Sequence, residues 1–387
     1  MPASQSSADA VLEVGQKPLA LAFLADPNSI HTRRWVGWFA ARGHRVSMLV
    51  PAGLAVEPGL PDSIAVVRFT PYTASRLHVL GAFRARRSLA DALRRIEPDI
   101  LHAHYLTGWG WHARLSGFRP YGITLWGTDI LITARGTRRG GLYARWSLRP
   151  AGLVTGDSEE LVRAAVAAGA RAERTHLVQF GVDTERFSPG PDPAALRERL
   201  GLVGRRVIFS PRSIAPLYRQ DVVLEALARL PADVCVVMTR HLARESEVEA
   251  LQRRAAELGL SDRLVMVPKV DHAEMADFYR MAELVVSVPI SDGTPVTLLE
   301  ALSAGRPVVA SDLPSVREWL GDLDPASLVP VGDAAATARA IEAALNRPAV
   351  ERANLADRAR RMVVERAGHD ASMAAAEALY RELLRRP

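Results

Sequence analysis

Short apolar runs alternate with amphipathic stretches along nearly the whole chain. Runs at 19–25, 46–50 and 64–69 are continuous enough to read as buried strands. Between the first two, Trp35, Val36, Phe39 and Ala40 fall on one helical face, and Gly43 closes that helix. An Arg-rich helix is predicted over 77–96, stopped before Pro98. The strand expected over 99–105 carries His102 and His104 two apart, hence on one face. A short helix over 108–116, a strand over 123–126, a basic amphipathic segment over 138–149 and a strand over 152–155 follow. Ser158 is placed to cap the next helix, Gly169 to end it, and 176–180 reads as another strand.

Then the pattern restarts. The proline-rich stretch 188–193 has the composition of a linker. Strands are predicted over 206–210, 233–239, 263–267, 284–289, from 308, and over 327–331. Helices are predicted over 194–200, 221–230, 244–258, 271–282 (with Asp271 and Glu274 as a capping pair) and 295–304. Three more helices close the chain over 334–386. Strand–helix alternation twice over, without hairpin signals, implies an α/β chain of two doubly wound parallel sheets. Ligands are then expected at the C-terminal ends of strands, in the cleft between domains. The predicted organisation is a disordered tail over 1–17, a domain over 18–187, a second over 188–365, and a C-terminal helix over 366–387 packing back toward the first domain.

Length and composition agree with this. A chain of 387 residues can bury two cores. No run approaches the length of a spanning helix, and the first residues lack the pattern of a signal peptide. The one cysteine, Cys235, sits in an apolar run and reads as a buried small hydrophobe, so a cytoplasmic location is expected. Basic residues are nearly all arginine; lysine occurs only at Lys17 and Lys269. From Arg76 to Arg149 there are thirteen arginines against four acidic residues. Arg84, Arg86, Arg87, Arg94 and Arg95, with the arginines of 135–149, suit either a solvated helix surface or peripheral contact with an anionic inner membrane leaflet.

The most informative stretch is Ser291 to Ala310. A strand runs into Ser-Asp-Gly, then into a helix starting at Pro295, with Asp292 or Thr294 as its cap and Gly305 at its end. Its first N–H groups, around Pro295, Val296 and Thr297, suit a diphosphate. Asp292 and Glu300 flank them, and carboxylates beside a phosphate site suit a ligand that also carries hydroxyls. Arg212, between Pro211 and Pro216 at the end of another strand, offers a guanidinium fork at the same sheet edge.

These residues, with Gly181-Val-Asp-Thr-Glu-Arg-Phe-Ser-Pro189 and Gly305-Arg-Pro-Val-Val-Ala-Ser311, make the chain resemble glycosyltransferase family 4, of the two-domain GT-B architecture, from about residue 19 onward. The resemblance implies a retaining, metal-independent hexosyltransferase that uses a nucleoside diphosphate sugar, UDP or GDP, as co-substrate and needs no further cofactor. It assigns Glu300 to the ribose hydroxyls, and Gly293, Thr294, Pro295, Val296 and Thr297 to the diphosphate loop. Asp292 stands where the family carries the first glutamate of a Glu-x7-Glu pair, at the donor sugar near the anomeric carbon. Tyr218 replaces the family's lysine, leaving Arg219 to supply a second positive charge. Trp126 replaces a histidine at the end of its strand and offers an N–H donor and a stacking face for a sugar or polyol. On the acceptor side stand Asn28, His31, Thr32, His104 and Asp129. The expected acceptor is a sugar, polyol or lipid-linked molecule, with no nucleic-acid partner. Two other readings share these features: a GT-B sugar-nucleotide epimerase or phosphorolytic enzyme, and a non-catalytic nucleotide-sugar-binding regulatory subunit. Asp322-Leu-Asp324 formally matches a metal–nucleotide signature but reads as turn chemistry, and His102 with His104 lacks a third ligand at suitable spacing.

Overall fold

The computed structural model of the chain describes residues 16–72 and 78–386. The expected tail (up to residue 15) and the expected start of the Arg-rich helix at 77 lie outside the described residues. The chain divides into two units, one running to Phe180 and resuming at Ser372, the other spanning Gly181–Ala371.

The first unit contains β1 (Ala20–Leu24), α1 (Ile30–Ala41), β2 (Arg45–Pro51), β3 (Ala65–Phe69), α2 (His78–Ile96), β4 (Ile100–His104), α3 (Trp111–Ser116), β5 (Tyr121–Thr124), α4 (Arg138–Leu148), β6 (Leu153–Gly156), α5 (Glu159–Ala167) and β7 (Thr175–Leu177). Among the described residues they form a seven-stranded sheet in the order β3-β2-β1-β4-β5-β6-β7, every pairing parallel. On one face, Leu89, Ala92 and Leu93 of α2 share a core with Ala113, Leu148 and Leu161 of the next three helices. The other face buries Phe23, Trp35 and Phe39. Ser158 accepts a hydrogen bond from the Leu161 N–H at 3.2 Å, the cap its sequence predicts. The helix expected over 108–116 is instead two pieces, because Thr107 and Gly108 leave helical geometry and Gly108 takes φ 82°.

The second unit contains α6 (Ala194–Arg199), β8 (Arg206–Ser210), α7 (Gln220–Leu227), β9 (Val234–Thr239), α8 (Glu245–Glu257), β10 (Leu264–Val267), α9 (Met275–Met281), β11 (Leu284–Ser287), α10 (Val296–Ser303), β12 (Val308–Ser311), α11 (Pro314–Leu320), β13 (Leu328–Val329), α12 (Ala334–Leu345) and α13 (Ala349–Ala367). Its sheet has six parallel strands among the described residues, ordered β10-β9-β8-β11-β12-β13. The final helix, α14 (His369–Arg385), begins in this unit, but from Ser372 it belongs to the first. There Tyr380 accepts a hydrogen bond from the Trp35 indole at 3.2 Å, and Glu377 pairs with Arg42 at 3.3 Å.

Three details differ from expectation. The division falls at Phe180, ahead of the proline-rich stretch. Phe187 explains this: its ring is fully buried in the second unit against Tyr279, and its carbonyl accepts from Ser303 at 2.6 Å. The helix expected over 271–282 begins only at Met275. The Asp271 backbone carbonyl takes the N–H groups of Glu274 and Met275 in a turn, and the cap position Glu274 makes no side-chain cap bond. Helix α11 is not among the elements that the apolar pattern predicts.

Candidate functional site

In the second unit the strands β8 and β11 are neighbours, so the loops that follow them meet at one sheet edge. The loop after β11 carries Asp292 and leads into α10. Pro295 is itself the cap position, with φ −69° and ψ 108°, and no side chain caps the helix, in place of the Asp292 or Thr294 cap expected. Of the first-turn N–H groups of α10, that of Leu298 donates to the Pro295 carbonyl at 2.9 Å, and those of Val296 and Thr297 have no side-chain cap and are placed for an anion. Gly293, Thr294, Pro295 and Val296 are buried here, with Thr297 half-buried. Gly305, at φ +72°, lets the chain turn into β12.

Arg212 is the centre of the group. Its guanidinium lies 2.8 Å from the Asp292 carboxylate and 3.4 Å from the Thr297 hydroxyl, and it stacks on the Tyr218 ring at 4.2 Å. The residue standing in the lysine position thus serves as an aromatic shelf for the arginine. Burial is the strongest single influence and works against the Arg212 charge, but Asp292 together with Tyr218 and Tyr279 outweighs it and holds the guanidinium more firmly protonated than usual. Burial likewise pushes the Asp292 carboxyl up, opposed by Arg212 and the Gly293 N–H. The loop that bears Arg212 is fixed by a residue with no motif to announce it. Gln220 donates to the Arg212 carbonyl at 2.7 Å and accepts from the Ser210 hydroxyl at 2.8 Å.

Glu300 lies in the second turn of α10 and is buried. Its carboxylate accepts from the Tyr279 hydroxyl at 2.8 Å. Burial and the Glu300 charge push the Tyr279 phenol well up, so it stays a neutral donor. Arg219 does not join this group. It sits at φ 49° between a short helical turn and α7, with its fork turned onto Asp221 at 2.8 Å.

In the first unit, β4 ends with His104, and Trp126 lies two residues beyond the end of β5. His104 is buried within a ring cluster: Trp35 at 5.0 Å, His102 at 5.3 Å and Trp126 at 6.0 Å between centroids. Neither His104 ring nitrogen has a hydrogen-bond partner among the described residues, and burial holds its pKa well below the ordinary value. Trp126 is half-buried, edge-on to His31 at 5.6 Å and to Phe180 at 5.3 Å, with no partner for its indole N–H among the described residues. Thr32 is fully buried, and its hydroxyl has no partner among the described residues.

Two acceptor-side candidates have structural employment instead. Asn28 donates to the Ala55 carbonyl and accepts from the Glu57 N–H, both at 2.9 Å, so its amide closes a loop. Asp129 accepts from the N–H groups of Leu106, Trp126, Gly127 and Ile130, tying together the loops after β4 and β5. Burial pushes its carboxyl up to about 6, against the pull of those donors. Asp324 of the Asp-x-Asp sequence is held by Arg347 in a two-bond pair at 3.0 Å. No cluster of three or more His, Cys, Asp or Glu fit to hold a metal occurs among the described residues.

Comparison with known proteins covers both units. Residues 194–362 match the family described as Glycosyl transferases group 1, and residues 20–158 match Glycosyl transferase 4-like. A D-inositol 3-phosphate glycosyltransferase of Frankia alni is 31% identical over 335 residues, 78% of this chain and 80% of its own. One of the same name from Xylanimonas cellulosilytica is 35% identical over 169 residues, 42% of this chain and 40% of its own. The crystal structure of Anabaena Alr3699/HepE with UDP-glucose superimposes with a TM-score of 0.78 at 21% identity, covering 93% of this chain and 99% of that one.

Proposed function

Because the chain belongs to glycosyltransferase family 4, with the GT-B architecture, we propose that it moves a hexose-type sugar from UDP to a hydroxyl of a polyol or sugar acceptor, with retention of configuration. The Anabaena neighbour crystallised with UDP-glucose supports that donor, and the Frankia relative, named for an inositol phosphate, supports a polyol acceptor. The observation that carries the reading is the placing of Arg212. It is held by Asp292, Thr297 and Tyr218 beside the uncapped start of α10, with Glu300 one turn further along.

In this reading the diphosphate takes the first-turn N–H groups of α10 and the Arg212 fork. Arg212 and Asp292 neutralise each other in the free protein. When a diphosphate claims the guanidinium, the Asp292 carboxylate is released to accept from a sugar hydroxyl. Glu300, oriented by Tyr279, accepts from the ribose hydroxyls. Acceptor contacts fall to His31, His104 and Trp126 of the first unit, whose ring edges and indole N–H suit hydroxyls and C–H faces.

The bond between the anomeric carbon and the diphosphate oxygen breaks, and the acceptor oxygen bonds to that carbon on the same face. The acceptor proton passes to the departing phosphate oxygen, whose charge Arg212 and the helix N-terminus stabilise. Arg212→Ala is expected to lower kcat about 100-fold or more, the scale of a lost charge-stabilising donor. Product NMR is expected to show the donor's anomeric configuration. Turnover near wild type in the variant refutes the role of Arg212, and an inverted product refutes the same-face path.

A further inference from the structure

We propose that the α2–α3–α4 face of the first unit is a docking surface for an anionic lipid bilayer. The three helices share one face of the sheet: α2 packs on α3 and α3 on α4, over a common core. Their outer sides combine two features that seldom occur together on a face left to water.

The first is protruding apolar bulk. On α2, Val79 is 85% exposed and Phe83 60%; on α4, Leu142 is 68% exposed and Tyr143 55%. Single exposed hydrophobics are ordinary on any protein. Here they fall on the two helices that flank α3, and the three large aromatic residues exposed among the described residues, Phe83, Tyr143 and Trp146, all lie on these two helices. Trp146 in turn stacks under the Arg114 guanidinium at 4.7 Å and meets Trp111 of α3 at 6.2 Å, so the aromatic surface continues onto the middle helix.

The second feature is uncompensated charge. Arg84 and Arg87 of α2 and Arg138 and Arg139 of α4 are exposed, and none has a carboxylate within ion-pair distance among the described residues. Of the four acidic residues of this segment, Asp91 is taken by Arg94, Asp99 accepts from the Ala20 N–H, Asp129 is buried, and Glu97 follows the far end of α2.

Charge alone suits any polyanion. The aliphatic side chains decide among them. Stacked bases accept aromatic rings and guanidinium groups but give nothing to Val79 or Leu142. The boundary between lipid headgroups and acyl chains accepts all of these, with Trp and Tyr at headgroup level and arginine reaching the phosphates. The placing is also consistent within the unit. Parallel strands end at one edge, and the helix following each strand starts there. Val79 lies in the first turn of α2, and Phe83 and Leu142 in the second turns of α2 and α4, so the apolar surface sits at the N-terminal ends of both helices.

The test is flotation of the full chain with vesicles of phosphatidylglycerol and phosphatidylcholine, and with phosphatidylcholine alone, at low and high salt. Binding is expected to the anionic vesicles, weakening with salt. The pair Arg138→Gln with Arg139→Gln is expected to lower partitioning roughly 25-fold, at about fivefold per arginine near a charged leaflet. The pair Phe83→Ser with Leu142→Ser is expected to lower it at least about tenfold by removing buried apolar area. No flotation on anionic vesicles at low salt overturns the proposal. So does undiminished binding by the serine pair, which marks adsorption by charge alone. Stoichiometric displacement from the vesicles by a short oligonucleotide assigns the surface to nucleic acid instead. All four positions are exposed, so the variants are expected to keep the wild-type melting temperature and UDP affinity by calorimetry. The vesicle result is independent of any transferase assay, so it fails or stands apart from the proposed reaction.

Discussion

Tyr279 shows how one side chain can govern another to which the proposed function gives a role. It is fully buried, reaches Glu300 from a helix twenty-one positions earlier, and donates the bond that orients the carboxylate. Tyr279→Phe removes that bond and leaves the ring in place. UDP affinity by calorimetry is expected to fall about tenfold or more, the worth of one hydrogen bond to a charged group, about 1.5–3 kcal/mol. An unchanged affinity would mean that Glu300 is oriented otherwise or does not meet the nucleotide. Glu300 can be singled out from its spacing after Asp292 and the helix start. Tyr279 cannot, because nothing local to Met275–Met281 marks one of its side chains as facing α10. Gln220 escapes sequence reasoning for the same reason: its partners are the Arg212 carbonyl and the Ser210 hydroxyl. Asn28 and Asp129 are the converse. Their residue types and loop positions suit an acceptor site, but hydrogen bonds to their own backbone surroundings absorb both side chains.

At the scale of elements, β4 carries a buried histidine pair that makes the first sheet sensitive to acid. His102 touches Thr124 at 2.7 Å, and burial lowers its pKa to about 3; burial lowers that of His104 as well, helped by the neighbouring His102 and His31. Both values are depressed below the ordinary 6.5 expected of the unfolded chain. Their contribution to stability is therefore complete above about pH 6.5 and is lost as pH falls toward the folded values. His104→Phe removes one of these charges and fills a site already ringed by aromatics. The gap between urea midpoints at about pH 7 and about pH 4.5, on either side of the ordinary histidine pKa, is expected to narrow in that variant. An unchanged gap would show that His104 does not drive the acid loss. In the same variant, loss of transfer with normal UDP affinity supports the acceptor role given to His104. The pattern of apolar runs is enough to place these strands, since a strand buried on both faces must be apolar throughout. It is weakest where backbone geometry overrides pattern, as at Thr107 and Gly108, and where a turn delays a helix, as before Met275.

At the scale of the molecule, the chain leaves the first unit at Phe180 and returns to it at Ser372. The return is anchored by Tyr380 against Trp35 and Phe39, and by Glu377 with Arg42. Tyr380→Ala is expected to destabilise the first unit by about 3–5 kcal/mol, the cost of deleting a buried aromatic ring. On the proposed reading UDP binds the second unit, so its affinity is expected to stay unchanged; thermal unfolding and calorimetry on the same variant check both. A fall in UDP affinity in parallel with stability would place the nucleotide elsewhere. Strand and helix alternation, the parallel sheets, the family and a helix beginning next to Pro295, one residue later than expected, were legible in the sequence, because hydrophobic period, proline and glycine act within a few residues of themselves. Tertiary structure alone decided which distant side chains face one another: Arg212 with Asp292, and Tyr279 with Glu300. Those pairings depend on sheet order and on the direction in which each loop leaves its strand, and neither is carried by any local stretch of the chain.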